Sequence, residues 1–251
     1  GAGRVTAEWM INGYMNEDLY SLDIKRFQKF HSSKKFIMSR VTETLGDLYG
    51  MHWPYKQHKT SRDQKLLPYH EDLKKAGACF GQSGEYERPM WYALKDIKPE
   101  YDYSFNYQNW YPSVEYESKS TTKNVGLFEL SPFSKYEIKG ENAYEELQRL
   151  CTANIKNDIG KCTYTHMLNE GGGIETDLTV VCINKNHFRI ISSAAVRTHD
   201  KAHILKHLSK RVEFKDVTDD LICLGIFGPK SRELLSNCLL YTSPSPRDQR
   251  G

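Results

Sequence analysis

Three consecutive glycines, Gly171 to Gly173, separate two runs of strand-forming residues, Thr163 to Leu168 and Ile174 to Ile183. This arrangement constrains the fold more tightly than any other stretch. Glycine loses more backbone freedom on folding than any other residue, so three in a row predict either a turn that needs positive φ or a close approach of another group to the backbone. Both readings give a strand, a turn and a second strand. Side chains alternate faces along a strand, which puts Glu175, Asp177, Thr179 and Val181 on one side and Ile174, Thr176, Leu178 and Val180 on the other. Asp177 and Thr179 therefore point together. A carboxylate inside a β-branched run is disfavoured by strand propensity and costly to bury alone, so Asp177 must face water, pair with a donor or serve a ligand.

The flanking sequence supplies partners for such a hairpin. Asn142 to Cys151 carries Tyr144, Leu147 and Leu150 at helical spacing, and Lys135 to Lys139 alternates as a strand does. Strands are predicted at Phe188 to Ser192, Arg211 to Val217 and Leu221 to Phe227, and helices at Val196 to Leu208 and Pro229 to Leu239. Upstream, a helix is closed by Gly13, and a second runs from Lys34 to Gly50 with Ile37, Val41, Leu45 and Leu48 on a face that can bury. Met51 to Trp110 reads as irregular, aromatic-rich connecting chain. The irregular alternation of helices with turn-linked strands predicts an α+β fold with mixed, largely antiparallel sheets and packed helices.

Several function classes are disfavoured. Lys+Arg 35 against Asp+Glu 32 leaves a net charge of +3 spread along the chain, not the concentrated basic surface that releases phosphate counterions from a nucleic acid. No apolar run approaches the roughly 20 residues of a membrane span. The six cysteines form no CxxC pair, which favours reduced thiols and offers no metal-ligand spacing. His199, His203 and His207 stack at i, i+4 and i+8 but lack an HExxH pattern, so a solvated helix face is expected there and no metal site. Gly1-Ala-Gly3 opens a helix whose N-terminal amides could cap it or face an anion or a flavin edge. The chain does not begin with Met and reads as an internal fragment, while the Ser-, Pro- and Arg-rich residues 241–251 read as a non-native or disordered tail.

Several motifs run in one order. Leu22-Asp-Ile-Lys-Arg-Phe27, Gly50-Met-His-Trp-Pro54, Tyr86-Glu-Arg-Pro89, Val125-Gly-Leu-Phe-Glu-Leu-Ser131 and Met167 to Thr179 follow the opening Gly1-Ala-Gly-Arg4. Together they resemble the dimethylglycine dehydrogenase and sarcosine dehydrogenase-like flavoproteins, which join an FAD-dependent oxidoreductase to a folate-binding domain similar to the glycine-cleavage aminomethyltransferase, or T-protein. The resemblance implies that residues 1–27 end the FAD domain, 28–116 form its central connecting region and 117–240 form the N-terminal part of the folate domain.

It further implies an enzyme that oxidises a small N-methylated amine with FAD and passes the one-carbon unit to tetrahydrofolate. The compartment implied is a mitochondrial matrix, or a bacterial cytoplasm. Most of the FAD site would lie outside this chain. Asp177 matches the family's acidic folate-site residue, a hydrogen-bond acceptor and proton acceptor for the folate amine. Thr179 matches a second folate-site position, Ile191 an apolar contact to the pterin, and Gly1 and Gly3 the turn that approaches the flavin. On this reading Asp177 projects into a cavity shaped for a pteridine. The same architecture occurs in the regulatory subunit of pyruvate dehydrogenase phosphatase, which acts through protein interaction. The Asp177-Leu-Thr179, Trp110-Tyr-Pro112 and Met51-His-Trp-Pro54 stretches look closer to the dehydrogenases.

Overall fold

A computed structural model describes residues 1–13, 17, 19, 22–83 and 86–239 of the protein. The residues read from sequence as a tail, 241–251, lie outside them. Helix α1 (Ala2–Asn12) ends where Gly13 adopts φ 76° and returns its N–H to the Trp9 carbonyl at 2.9 Å. A Cβ is penalised in that left-handed conformation, which is why glycine closes the helix. Helix α2 (Lys34–Asp47) starts at Ser33, whose hydroxyl accepts the Phe36 N–H. The face expected to bury is open: Ile37, Val41, Leu45 and Leu48 are 41–64% exposed, because no other described element covers them. Helical spacing identifies an apolar stripe without saying whether a partner is present.

The region read as irregular contains regular structure. Short helix α3 (His70–Lys75) leads into strand β1 (Ala78–Ser83), which pairs antiparallel with β2 (Tyr86–Tyr92). Helix α4 (Tyr111–Lys123) follows, with Pro112 in its first turn, where a missing N–H costs nothing. The aromatic and turn residues of this stretch hide the β1–β2 pairing. That pairing is held by a buried ion pair in which Glu87, 1% exposed, accepts two hydrogen bonds from the Arg62 guanidinium.

The second half forms the main body. After β3 (Gly126–Glu129) come β4 (Ser134–Lys139), α5 (Ala143–Leu150), β5 (Cys162–Leu168), β6 (Ile174–Asn184) and β7 (His187–Ser192). Helix α6 (Arg197–His207), β8 (Glu213–Asp216), β9 (Leu224–Phe227) and α7 (Ser231–Leu239) complete it. Five strands make one antiparallel sheet in the order β5-β6-β7-β4-β8, and β3 pairs separately with β9. One face of the sheet is the core. Tyr136, Ile138, Leu178, Val180, Cys182, Phe188 and Ile190 point inward at a period of two and meet Leu147 of α5 and Ile204 of α6. Full burial of such side chains contributes about 1.5–3 kcal/mol apiece, so this layer sets the register of the whole sheet. The N-terminal segment rests on this body through Gln28, whose amide donates to the Thr198 hydroxyl, and through the Lys65–Asp219 ion pair at 2.8 Å.

Candidate functional site

The glycine turn is explained by its own hydrogen bonds. The Asn169 carboxamide oxygen accepts the N–H groups of Gly171 at 3.0 Å and Gly173 at 2.9 Å, while the Gly172 N–H reaches the Asn169 carbonyl. Gly172 has φ 83°, and this is the position that requires glycine. The turn sets the register of β5 against β6 so that His166 pairs with Asp177 and Tyr164 with Thr179. On the other side of β6, Thr179 pairs with Ile191, which in turn pairs with Lys135 of β4.

Asp177, Thr179 and Ile191 therefore meet on one face of the sheet, opposite the core. Thr179 and Ile191 are direct cross-strand neighbours, half-buried, with Cβ separations of about 4.5–5.5 Å typical of such pairs. Asp177 is exposed and accepts a hydrogen bond from the Tyr164 hydroxyl at 3.0 Å. That bond to an anion raises the Tyr164 pKa, since the phenol must lose the proton it shares. A cavity of about 680 Å³ lies elsewhere, between Phe27–Phe30 and the start of α6, lined also by Lys65, Asp216 and Asp219.

Three further residues of this face are not among the site residues expected from sequence. Tyr164 and His166, with ring centroids 5.4 Å apart, flank Asp177 and Thr179. Lys135 is 3% exposed, and its ammonium donates to the carbonyls of Ser131 and Phe133 at 2.8 Å while burial pushes its pKa down. Alternation along β5, counted back from the glycines, marks Tyr164 and His166. No local pattern reports that Lys135 is buried. Further along the face, Glu137 accepts from Arg189 at 2.7 Å and pairs with Lys139 at 2.8 Å, and these cations, outweighing its desolvation, hold its carboxyl at about 2.

The histidine face of α6 is only partly solvated, where a solvated face was expected. His199, His203 and His207 are half-buried against the glycine turn and its acids. His199 Nε2 lies 3.0 Å from a Glu175 oxygen, and His207 Nε2 lies 3.5 Å from Glu170, which also takes the Lys206 ammonium at 2.7 Å. The tertiary fold puts acids opposite the imidazoles, which helical spacing does not reveal. At Gly1 and Gly3 an added Cβ would meet no described atom within 4 Å.

The GCVT N-terminal domain family matches residues 69–245, a span that holds the five-stranded sheet and its outer face. The chain belongs to this family. Upstream of the GCVT N-terminal domain, residues 12–66 match the FAD dependent oxidoreductase central domain. The aminomethyltransferase T of the glycine cleavage system from Bartonella henselae superposes with a TM-score of 0.57 at 25% identity, covering 69% of this chain and 43% of that one. The α+β fold with antiparallel sheets is thus that of the T-protein.

Among curated relatives, 4-methylaminobutanoate oxidase (formaldehyde-forming) of Paenarthrobacter nicotinovorans is 38% identical over 94% of this chain and 29% of its own length. The mitochondrial pyruvate dehydrogenase phosphatase regulatory subunit of Mus musculus is 32% identical over 98% of this chain and 29% of its own. Mitochondrial dimethylglycine dehydrogenase of Rattus norvegicus is 27% identical over 94% and 28%. The chain spans less than a third of the length of these relatives.

Proposed function

We propose that this chain is the GCVT-containing part of an FAD-dependent N-methyl amine dehydrogenase, of the dimethylglycine or sarcosine type, that passes the one-carbon unit to tetrahydrofolate. The observation that carries the reading is the convergence of Asp177, Thr179 and Ile191 on one sheet face with Tyr164 beside them. This donor set fits a reduced pterin. The carboxylate accepts hydrogen bonds from ring N–H groups, the hydroxyl both donates and accepts, and the isoleucine and phenol offer flat apolar contact. Tetrahydrofolate, when bound, supplies amine nitrogens that take up a one-carbon unit. Asp177 holds the folate amine by hydrogen bond and accepts its proton, and the Tyr164 hydroxyl fixes the carboxylate rotamer. FAD would serve as hydride acceptor.

The face around Asp177 is open in this chain, so the second wall of a pterin site would come from other parts of the longer protein. The T-protein chain that superposes here has more than half its length without a counterpart, which supports that arrangement. The mitochondrial names of two relatives support a mitochondrial matrix for a eukaryotic protein, with the cytoplasm for a bacterial one. Calorimetry with tetrahydrofolate on the full-length protein tests the reading. Asp177→Asn is expected to weaken binding and cut the yield of methylenetetrahydrofolate while flavin reduction by the amine continues. Equal loss of both activities would remove the assigned role.

The 32% identity to the phosphatase regulatory subunit favours a second reading, in which the same architecture binds a protein and performs no oxidation. Co-purification with a phosphatase catalytic subunit, without amine oxidation or tetrahydrofolate binding, would establish it instead.

A further inference from the structure

We propose that Glu43, Asp47 and His58 form a zinc site that clips helix α2 to the loop following it. Glu43 and Asp47 are four residues apart and so share one face of α2. His58 comes from the loop beyond Pro54. The three side chains are half-buried, and one ligand atom from each lies within 4.8 Å of the others. His58 Nδ1 is 3.5 Å from Asp47 Oδ2 and 3.9 Å from Glu43 Oε1. Around a tetrahedral zinc with bonds of about 2.0–2.1 Å, neighbouring ligand atoms sit roughly 3.3 Å apart, so the His58–Asp47 separation already fits and side-chain rotation must bring Glu43 closer to both.

Two further observations favour an ion here over a simple ion pair. The His58 Nδ1 atom is buried and has no hydrogen-bond partner among the described residues, although two carboxylates lie within 3.9 Å of it. With Nδ1 facing two carboxylates, the imidazole can hold either a proton or a metal ion between itself and them. The Glu43 carboxylate is also held in place from behind, by the N–H groups of Lys59 at 2.6 Å and Thr60 at 2.8 Å and by the Thr60 hydroxyl. Such outer hydrogen bonds are what fix metal ligands. An imidazole among the ligands selects zinc over calcium or magnesium, which take oxygen alone. Water would complete the coordination. Lys56 competes, since its ammonium lies 2.5 Å from Asp47 Oδ1, and Arg40 stands 4.0 Å from Glu43.

Titration of the chelator-treated 251-residue chain with zinc chloride, followed by calorimetry and thermal unfolding, tests the site. The exposed Cys162 and Cys238 and the α6 histidines can also take zinc, so the site is defined as the equivalent that His58→Ala loses and the exposed His52→Ala keeps. His58→Ala is expected to weaken that equivalent tenfold or more and to abolish its share of the zinc-induced rise in unfolding temperature. Lys56→Met should bind more tightly, which a misfolded variant would not do. Asp47→Asn, on the helix surface, must lose the same equivalent if His58→Ala fails to fold. Cobalt at the site should show visible d–d absorption without a thiolate charge-transfer band. Zinc uptake unchanged by both His58→Ala and Asp47→Asn, or no saturable uptake by the parent chain, would overturn the proposal.

Discussion

The Tyr164 hydroxyl donates to the Asp177 carboxylate at 3.0 Å, diagonally across the β5–β6 hairpin on the face away from the core. The bond needs the register that the Asn169–Gly173 turn sets. A slip of one residue would turn both side chains into the apolar layer.

Because that bond favours the protonated phenol, the Tyr164 pKa is raised and Asp177→Asn should bring it back toward 10. Any stability it supplies is complete below the unfolded phenol pKa and is lost as pH rises through the raised value. Ultraviolet titration of the phenolate, taken as the difference between each chain and its Tyr164→Phe counterpart, reads this directly. An identical Tyr164 midpoint in the parent chain and Asp177→Asn would show that the bond does not form in solution.

Glu137 should make the protein acid-sensitive. Its carboxyl is lowered from 4.5 to about 2, so its contribution is present above pH 4.5 and disappears as pH falls from there toward 2. The upper bound is about 3 kcal/mol, reduced by screening of the partly exposed Arg189 and Lys139. Glu137→Gln should flatten urea-unfolding stability across that pH window relative to the parent chain.

Neighbours on β6 should respond very unequally to substitution. Leu178 is 2% exposed within the core, and Leu178→Ala should cost about 2–5 kcal/mol through lost transfer energy and a cavity. Asp177→Asn, one residue away on the open face, should stay within about 0.5 kcal/mol. Chemical denaturation of both variants checks the contrast.

Removal of the His199 imidazole should loosen the glycine turn. Glu175 loses its partner at 3.0 Å while Asn169 still donates to it, so His199→Ala should speed amide exchange at residues 169–175 several-fold and leave β7 protected. Unchanged exchange would mean that the Asn169 hydrogen bonds alone hold the turn.

What the sequence determined by itself is the local geometry of the second half. The hairpin about Gly171–Gly173, the shared face of Asp177 and Thr179, and the helices α5, α6 and α7 follow from spacing and glycine chemistry, which act between residues close in the chain. The colinear motifs carried the family. What only the tertiary structure decided are relations between distant segments. It set Ile191 and Lys135 in register beside Thr179 and acids opposite the α6 histidines, and it brought His58 to Glu43 and Asp47. It also left the apolar stripe of α2 exposed. A residue's period says which face it joins. Burial, pairing and charge depend on what another part of the chain lays over that face, and no local pattern encodes that.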